Sequence, residues 1–336
     1  MLLGLETFSY HLAFAYGKMD IFKFIQRTAE LGLDGVQINV EGDGLAHLGN
    51  DDPGFLQEVR NAINNLGLFV EIDTCGTNPA NLTRSLNICK RLGSDTLRVF
   101  SSIGGDVQEE LKQSVIDFKE IVPLCTDYGV KIAYENHEFE TSQEIINVVN
   151  EVNSDYIGTH IDVGNSMMLW EKPIEAVTTM APKAVSSHFK DHIVVSIKNQ
   201  PMIIGVPLGK GSIDLPECYR ILEQHSPLKR INIEVCYGYL APFRIPELDG
   251  YGGRLGEGCF KIYQPPYDPE VVAPYISQYI ENPFELNAFA WSKLADIANS
   301  DRQREALVEL QDKAVVSSVA YVKGLRTQQG IDTLSS

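Results

Sequence analysis

Val130-Lys-Ile-Ala-Tyr-Glu135-Asn-His137-Glu138, then the amphipathic stretch Ser142–Val152, then Ile157-Gly-Thr-His-Ile-Asp162 read as strand, helix and strand. Both β-rich runs are largely apolar until their last residues, where carboxylates and imidazoles gather. That is the signature of parallel strands inside a (β/α)8 barrel, whose chemistry is built at the C-terminal strand ends.

Working outward in both directions, the same unit recurs. Eight strand candidates stand at Leu2–Thr7, Gly35–Val40, Phe69–Thr74, Thr96–Ser101, Val130–Glu135, Ile157–Asp162, Val185–Lys190 and Arg230–Val235. Helical stretches alternate with them at Asp20–Leu31, Pro53–Leu66, Pro79–Leu92, Gln108–Tyr128, Ser142–Val152, Pro173–Met180 and Leu215–Gln224, several opening on Pro, Ser or Asp. The alternation predicts an α/β fold, a (β/α)8 TIM barrel. A doubly wound sheet is the competitor, but Ser9-Tyr10-His11 follows the first strand where a dinucleotide fold would carry its glycine-rich turn. Gly209-Lys-Gly-Ser212 lies outside any phosphate-loop spacing.

Beyond the eighth strand, residues 236–269 are rich in Gly, Pro and Tyr and read as an inserted loop able to cover the barrel mouth. The expected division is therefore a barrel over 1–269 with an active-site loop at 236–269, and a C-terminal helical extension over 270–336. The last helix, about Asp301–Gly324, carries Leu307, Leu310, Ala314, Val315, Val319 and Val322 at helical spacing for packing on the barrel or a partner, and the tail after Arg326 reads as frayed.

The chain has 336 residues, with 28 Lys+Arg against 45 Asp+Glu, a net charge of −17. Such a balance argues against a phosphate backbone or an anionic membrane surface as partner. No apolar run is long enough to span a bilayer and the N-terminus lacks a basic leader, so a cytoplasmic location is expected. The cysteines Cys75, Cys89, Cys125, Cys218, Cys236 and Cys259 form no close pair and read as buried reduced thiols.

Four strand ends carry the candidate chemistry: Glu135 on the fifth, Asp162 on the sixth, His188 on the seventh and Glu234 on the eighth. In barrel register these point into one mouth. Three carboxylates packed together repel unless a cation joins them, and three oxygen donors with one imidazole suit Mn2+ best, with Mg2+ or Co2+ as alternatives. The competing reading makes each residue an isolated cap or ion-pair partner.

These residues resemble the xylose isomerase-like TIM barrel superfamily, which includes sugar-phosphate isomerases/epimerases and ketose 3-epimerases. The resemblance rests on Ala-Tyr-Glu135-Asn-His, His-Ile-Asp162-Val-Gly-Asn, Ser-His188-Phe-Lys-Asp, Gly209-Lys-Gly-Ser-Ile-Asp214 and Asn-Ile-Glu234-Val, and it covers about residues 1–240. It implies a divalent metal held by Glu135, Asp162, His188 and Glu234, and proton exchange by Glu135 and Glu234 at a carbon beside a sugar carbonyl. The longer chain and His137, two residues past Glu135, are also similar to the α subunit of C-glycoside deglycosidases. That likeness implies elimination of the aglycone from a 3-oxo-glucoside with His137 as base, and a small β subunit as partner; a homo-oligomer is the other assembly considered.

Substrate contacts are expected from His11, His160, Asn165 and Lys190. For His160 a satisfied core histidine is the alternative, and for Lys190 and Asp191 it is surface pairing. The tyrosines of 236–269 suit stacking on a sugar or flavonoid face. Two other functions compete with this reading. An apurinic-site endonuclease-like metallohydrolase needs more ligands and a basic track, and a non-catalytic carbohydrate-binding subunit predicts that Glu135→Gln changes no rate.

Overall fold

The computed structural model describes residues 1–101, 105–274 and 300–332. Eight parallel strands close a barrel: β1 (Leu2–Glu6), β2 (Gly35–Asn39), β3 (Phe69–Cys75), β4 (Thr96–Phe100), β5 (Lys131–Glu135), β6 (Ile157–Asp162), β7 (Ala184–Phe189) and β10 (Arg230–Ile233). β10 lies between β7 and β1, completing the ring.

The surrounding helices begin and end where local chemistry allows. They include α1 (His11–Ala15), α2 (Ile21–Glu30), α3 (Pro53–Asn65), α4 (Pro79–Leu92), α5 (Val107–Tyr128), α6 (Ser142–Val152), α7 (Pro173–Met180), α8 (Leu215–His225) and α9 (Asp301–Asp332). At α4, the Asn78 side chain accepts from the Asn81 N–H, Pro79 occupies the first turn, and Gly93 closes the helix at φ +84°. Thr141 and Glu144 form a reciprocal capping box at α6.

One part of the topology departs from expectation. The seventh strand ends at Phe189, and the chain then makes a hairpin of β8 (Asp191–Ile197) and β9 (Gln200–Val206) around Lys198 and Asn199, both at positive φ. Residues 236–269 are not a bare loop. They contribute β11 (Leu240–Pro242), antiparallel to β9, and β12 (Ile262–Tyr263), parallel to β8, so that a four-stranded sheet forms beside the barrel mouth.

Helix α9 buries Leu307, Ala314, Val315, Val319 and Val322 and continues past Arg326, where fraying was expected. Its polar side chains also reach the barrel. Tyr10 donates to Asp312 at 2.6 Å, Arg27 grips the same carboxylate at 2.9 Å, and Ser318 accepts from the Leu208 N–H at 3.0 Å. The rest of the expected 270–336 extension lies partly outside the described residues. Of the six free cysteines four are buried, while Cys75 and Cys259 are half-buried. Among the described residues no helix is long and apolar enough to cross a membrane.

Candidate metal centre

Strand register brings the site together. Glu135 pairs with His160 across β5 and β6, Asp162 pairs with His188 across β6 and β7, and His188 pairs with Asn232 across β7 and β10. Glu234 follows β10, with its N–H bonded to the Phe189 carbonyl at 2.9 Å. His188 Nδ1 thereby lies 3.2 Å from Glu234 Oε2 and 3.7 Å from both Asp162 Oδ2 and Glu135 Oε1.

The opposite face of that imidazole is fixed by Gln37, whose Oε1 is 2.6 Å from His188 Nε2. Gln37 Nε2 in turn faces Glu71 Oε2 at 3.4 Å, which orients the amide so that its oxygen accepts from His188. Nδ1 is then the nitrogen turned toward the carboxylates. Asp162 is held as firmly: its Oδ1 accepts from the N–H groups of Gly164 at 2.8 Å and Asn165 at 2.9 Å, leaving Oδ2 for the cavity. Asn136 bonds both the N–H and the carbonyl of Asp162.

Two cations neutralise this cage. Lys190 Nζ lies 2.7 Å from Asp162 Oδ2 and contacts Glu234, while Arg98 contacts Glu135 and lies 3.4 Å from Asp73 Oδ1. Burial raises the Glu135 carboxyl to about 8, against the opposing pull of Arg98 and His188. Burial would also raise Asp162, but Lys190 and His188 outweigh it and hold that group down to about 2. For His188 burial works against the imidazolium, and Glu234 and Asp162 overcome it, lifting the group to about 10.

The donor set fits a divalent ion. Apart from one another and the cations Arg98 and Lys190, the buried atoms Glu135 Oε2, Asp162 Oδ2, His188 Nδ1 and Glu234 Oε2 have no hydrogen-bond partner among the described residues. Asp162, His188 and Glu234 offer ligand atoms within 4.8 Å of one another, as do Glu135, His160 and His188. Hard oxygens with imidazole nitrogen are the donors that Mn2+, Mg2+ and Co2+ accept.

The family model described as xylose isomerase-like TIM barrel matches residues 25–238. The chain belongs to the xylose isomerase-like TIM barrel family. An uncharacterized protein, YihM of Escherichia coli (strain K12), is 25% identical over 193 residues, 57% of this chain and 59% of that protein. The 3-oxo-isoapionate decarboxylase of Pectobacterium atrosepticum is 24% identical over 196 residues, 57% of this chain and 69% of the relative. The chain thus spans less than two thirds of the YihM length. Among solved structures, an L-ribulose 3-epimerase superposes with a TM-score of 0.58 at 14% identity, covering 100% of this chain and 98% of that one, a likeness of fold.

In this xylose isomerase-like barrel, His137, Asn165 and Lys190 line the same cavity as His188 and Glu234. His137 stacks on Phe100 with ring centroids 3.9 Å apart, and its Nδ1 has no hydrogen-bond partner among the described residues. Burial, aided by Arg98 and Lys190, keeps its imidazole neutral. Asn165 bridges the cage, with Nδ2 3.4 Å from Glu135 Oε1 and Oδ1 3.4 Å from Lys190 Nζ. His160 lies deeper, perpendicular to His188, with Nε2 3.9 Å from Glu135 Oε1. His11 lies against Phe8, its Nε2 3.1 Å from the Tyr237 carbonyl.

Lys190 is buried, so surface pairing does not apply to it. Asp191 points elsewhere: it accepts backbone N–H bonds from Gly209, Gly211 and Ile213 at 2.8–3.2 Å and so fixes the Gly209-Lys-Gly-Ser segment. Of the tyrosines in 236–269, Tyr239 lines the cavity, whereas Tyr251 is 51% exposed. Tyr239 and Arg244 both bind the Glu138 carboxylate, which ties the inserted segment to the end of β5.

Sequence reading missed Arg98, Gln37 and the acids Glu6, Glu41 and Asp73, of which all but Gln37 line the cavity. The available signal was a charge or amide inside an apolar strand, as in Thr-Leu-Arg98-Val-Phe and Gly-Val-Gln37-Ile-Asn.

Proposed function

We propose that this barrel is a divalent-metal-dependent carbohydrate enzyme that removes a proton from a carbon beside a sugar carbonyl, with Mn2+ as the preferred ion. The carrying observation is the convergence of His188 Nδ1 with oxygens of Glu135, Asp162 and Glu234 at 3.2–3.7 Å. A cation bound there supplies positive charge that lowers the energy of an enediolate. Glu135, Asp162, His188 and Glu234 would hold it.

The chain supplies the rest. Neutral His137, on the cavity wall, is the base assigned to take a proton from substrate, and Phe100 stacks on its ring. Glu135 and Glu234 are the carboxylates available to return a proton, giving an epimer or isomer. If the substrate is a 3-oxo-glycoside, the electron pair left by the C2 proton expels the aglycone from C1, and the proton passes to the leaving group. The decarboxylase relative favours a further reading, loss of CO2 from a 3-oxo sugar acid, because that bond cleavage also leaves electrons beside a carbonyl.

The test is incubation of the Mn2+-loaded protein in D2O with free ketoses, ketose phosphates, 3-oxo-glucosides and 3-oxo sugar acids, read by mass spectrometry. Deuterium in an intact sugar, aglycone release or CO2 loss would each identify the branch, and Glu135→Gln should abolish it. No exchange or cleavage at full metal occupancy would overturn the proposal.

A further inference from the structure

Lys190 stands in an unusual place. Its ammonium touches Asp162 Oδ2 at 2.7 Å and also Glu234, and these are the two oxygens that face His188 Nδ1. An ion of the Mn2+ or Zn2+ class lies about 2.0–2.2 Å from its oxygen donors. An ammonium and such an ion compete for the same two oxygens and for the space between them and His188 Nδ1.

We propose that Lys190 Nζ and the divalent ion are alternative occupants of one carboxylate cage, so that metal loading expels the Lys190 ammonium into the cavity. This rests on the metal-binding part of the function proposed above. Asn165 Oδ1, 3.4 Å from Nζ and itself on the cavity wall, marks the first partner of the released group. Residue 164 is glycine, which leaves room for the stem: a Cβ there would stand 2.8 Å from Lys190 Cγ. Arg98 does not exchange in the same way, since it is pinned between Glu135 and Asp73.

Charge explains why such an exchange is built in. Glu135, Asp162 and Glu234 are buried together, and buried carboxylates without cations are strongly destabilising. Lys190 and Arg98 supply cations to that cage. When a divalent ion takes the Lys190 position, the carboxylates remain neutralised and one positive charge is transferred to the cavity, where substrate oxygens would meet it.

Two measurements on the full chain test the exchange, both independent of turnover. In the first, Mn2+ is titrated into wild type and Lys190→Met, with free Mn2+ followed by electron paramagnetic resonance. The variant should bind at least tenfold more tightly, because no ammonium has to leave. In the second, wild-type lysines are reductively methylated with and without saturating Mn2+ and the peptide carrying Lys190 is quantified. Labelling at Lys190 should rise at least fivefold with Mn2+. Equal or weaker Mn2+ binding by Lys190→Met overturns the exchange while leaving the metal-dependent function standing; no Mn2+ binding by either protein overturns both. If Lys190→Met does not fold, unchanged Lys190 labelling in the wild type is sufficient to reject the exchange.

Discussion

Gln37 and His188 are joined across the barrel interior by a 2.6 Å hydrogen bond between Oε1 and Nε2, and Glu71 beyond Gln37 sets the direction of that bond. The pair decides which imidazole nitrogen faces the carboxylates. Gln37→Leu removes the acceptor without adding charge, and the ring becomes free to rotate or change tautomer. Loss of such an orienting partner usually weakens a metal site by about 10–100-fold. The expected outcome is a Mn2+ dissociation constant raised by that factor with the far-ultraviolet circular dichroism unchanged; equal affinity would show that the pair does not set the site.

Arg98 carries the Glu135 ion pair and also faces Asp73 and Glu41, at 3.4 and 4.0 Å. Replacing it by Met leaves buried Glu135 and Asp73 without their cation, and breaking one side of a buried pair costs about 3–5 kcal/mol. Urea unfolding of Arg98→Met should show a loss of that size. Saturating Mn2+ should restore part of it, since the ion neutralises Glu135. A variant as stable as wild type would mean that the carboxylates take up protons at no cost.

The barrel and the four convergent residues were legible because both obey one periodicity: apolar strand interiors, polar strand ends and a helix between each pair. Glu135, Asp162, His188 and Glu234 each occupy a strand end, so register alone assembles them. Arg98, Gln37 and Glu71 were not legible because they lie inside strands. There a polar side chain is tolerated only through partners on other strands, such as Ser186, whose Oγ donates to Glu71 at 2.5 Å. The β8–β9 hairpin was missed for a different reason. Asp191-His-Ile-Val-Val-Ser-Ile and Gln200-Pro-Met-Ile-Ile-Gly-Val are strands in their own right, but a barrel reading has no place for an antiparallel pair between its seventh and eighth strands.

His137 separates chemistry from metal binding. It lines the cavity but does not belong to either metal-competent group, and its ring stacks on Phe100. His137→Gln should therefore lower kcat by about 10²–10⁴, the usual contribution of a positioned general base. Mn2+ affinity should stay within a factor of three of wild type. A loss of metal binding in parallel with rate would move His137 out of the proton-transfer role.

His192 provides a pH prediction with a definite sign. It is fully buried, and burial together with Lys190 lowers its imidazole to about 4 from the ordinary 6.5. Below pH 6.5 the unfolded chain takes up a proton that the folded protein refuses, so stability is lost as pH falls from 6.5 toward 4 and the loss levels off below that. Over that window one such histidine contributes about 3 kcal/mol. His11, held at about 3 by burial and by His47, acts in the same direction. Buried acids such as Glu41, raised by desolvation, act in the opposite one. The contribution of His192 is therefore best read as a difference: between pH 7 and 4.5, His192→Gln should gain about 2 kcal/mol relative to wild type in denaturant unfolding. A difference that does not change with pH would show that burial does not hold His192 below its ordinary range in the folded protein.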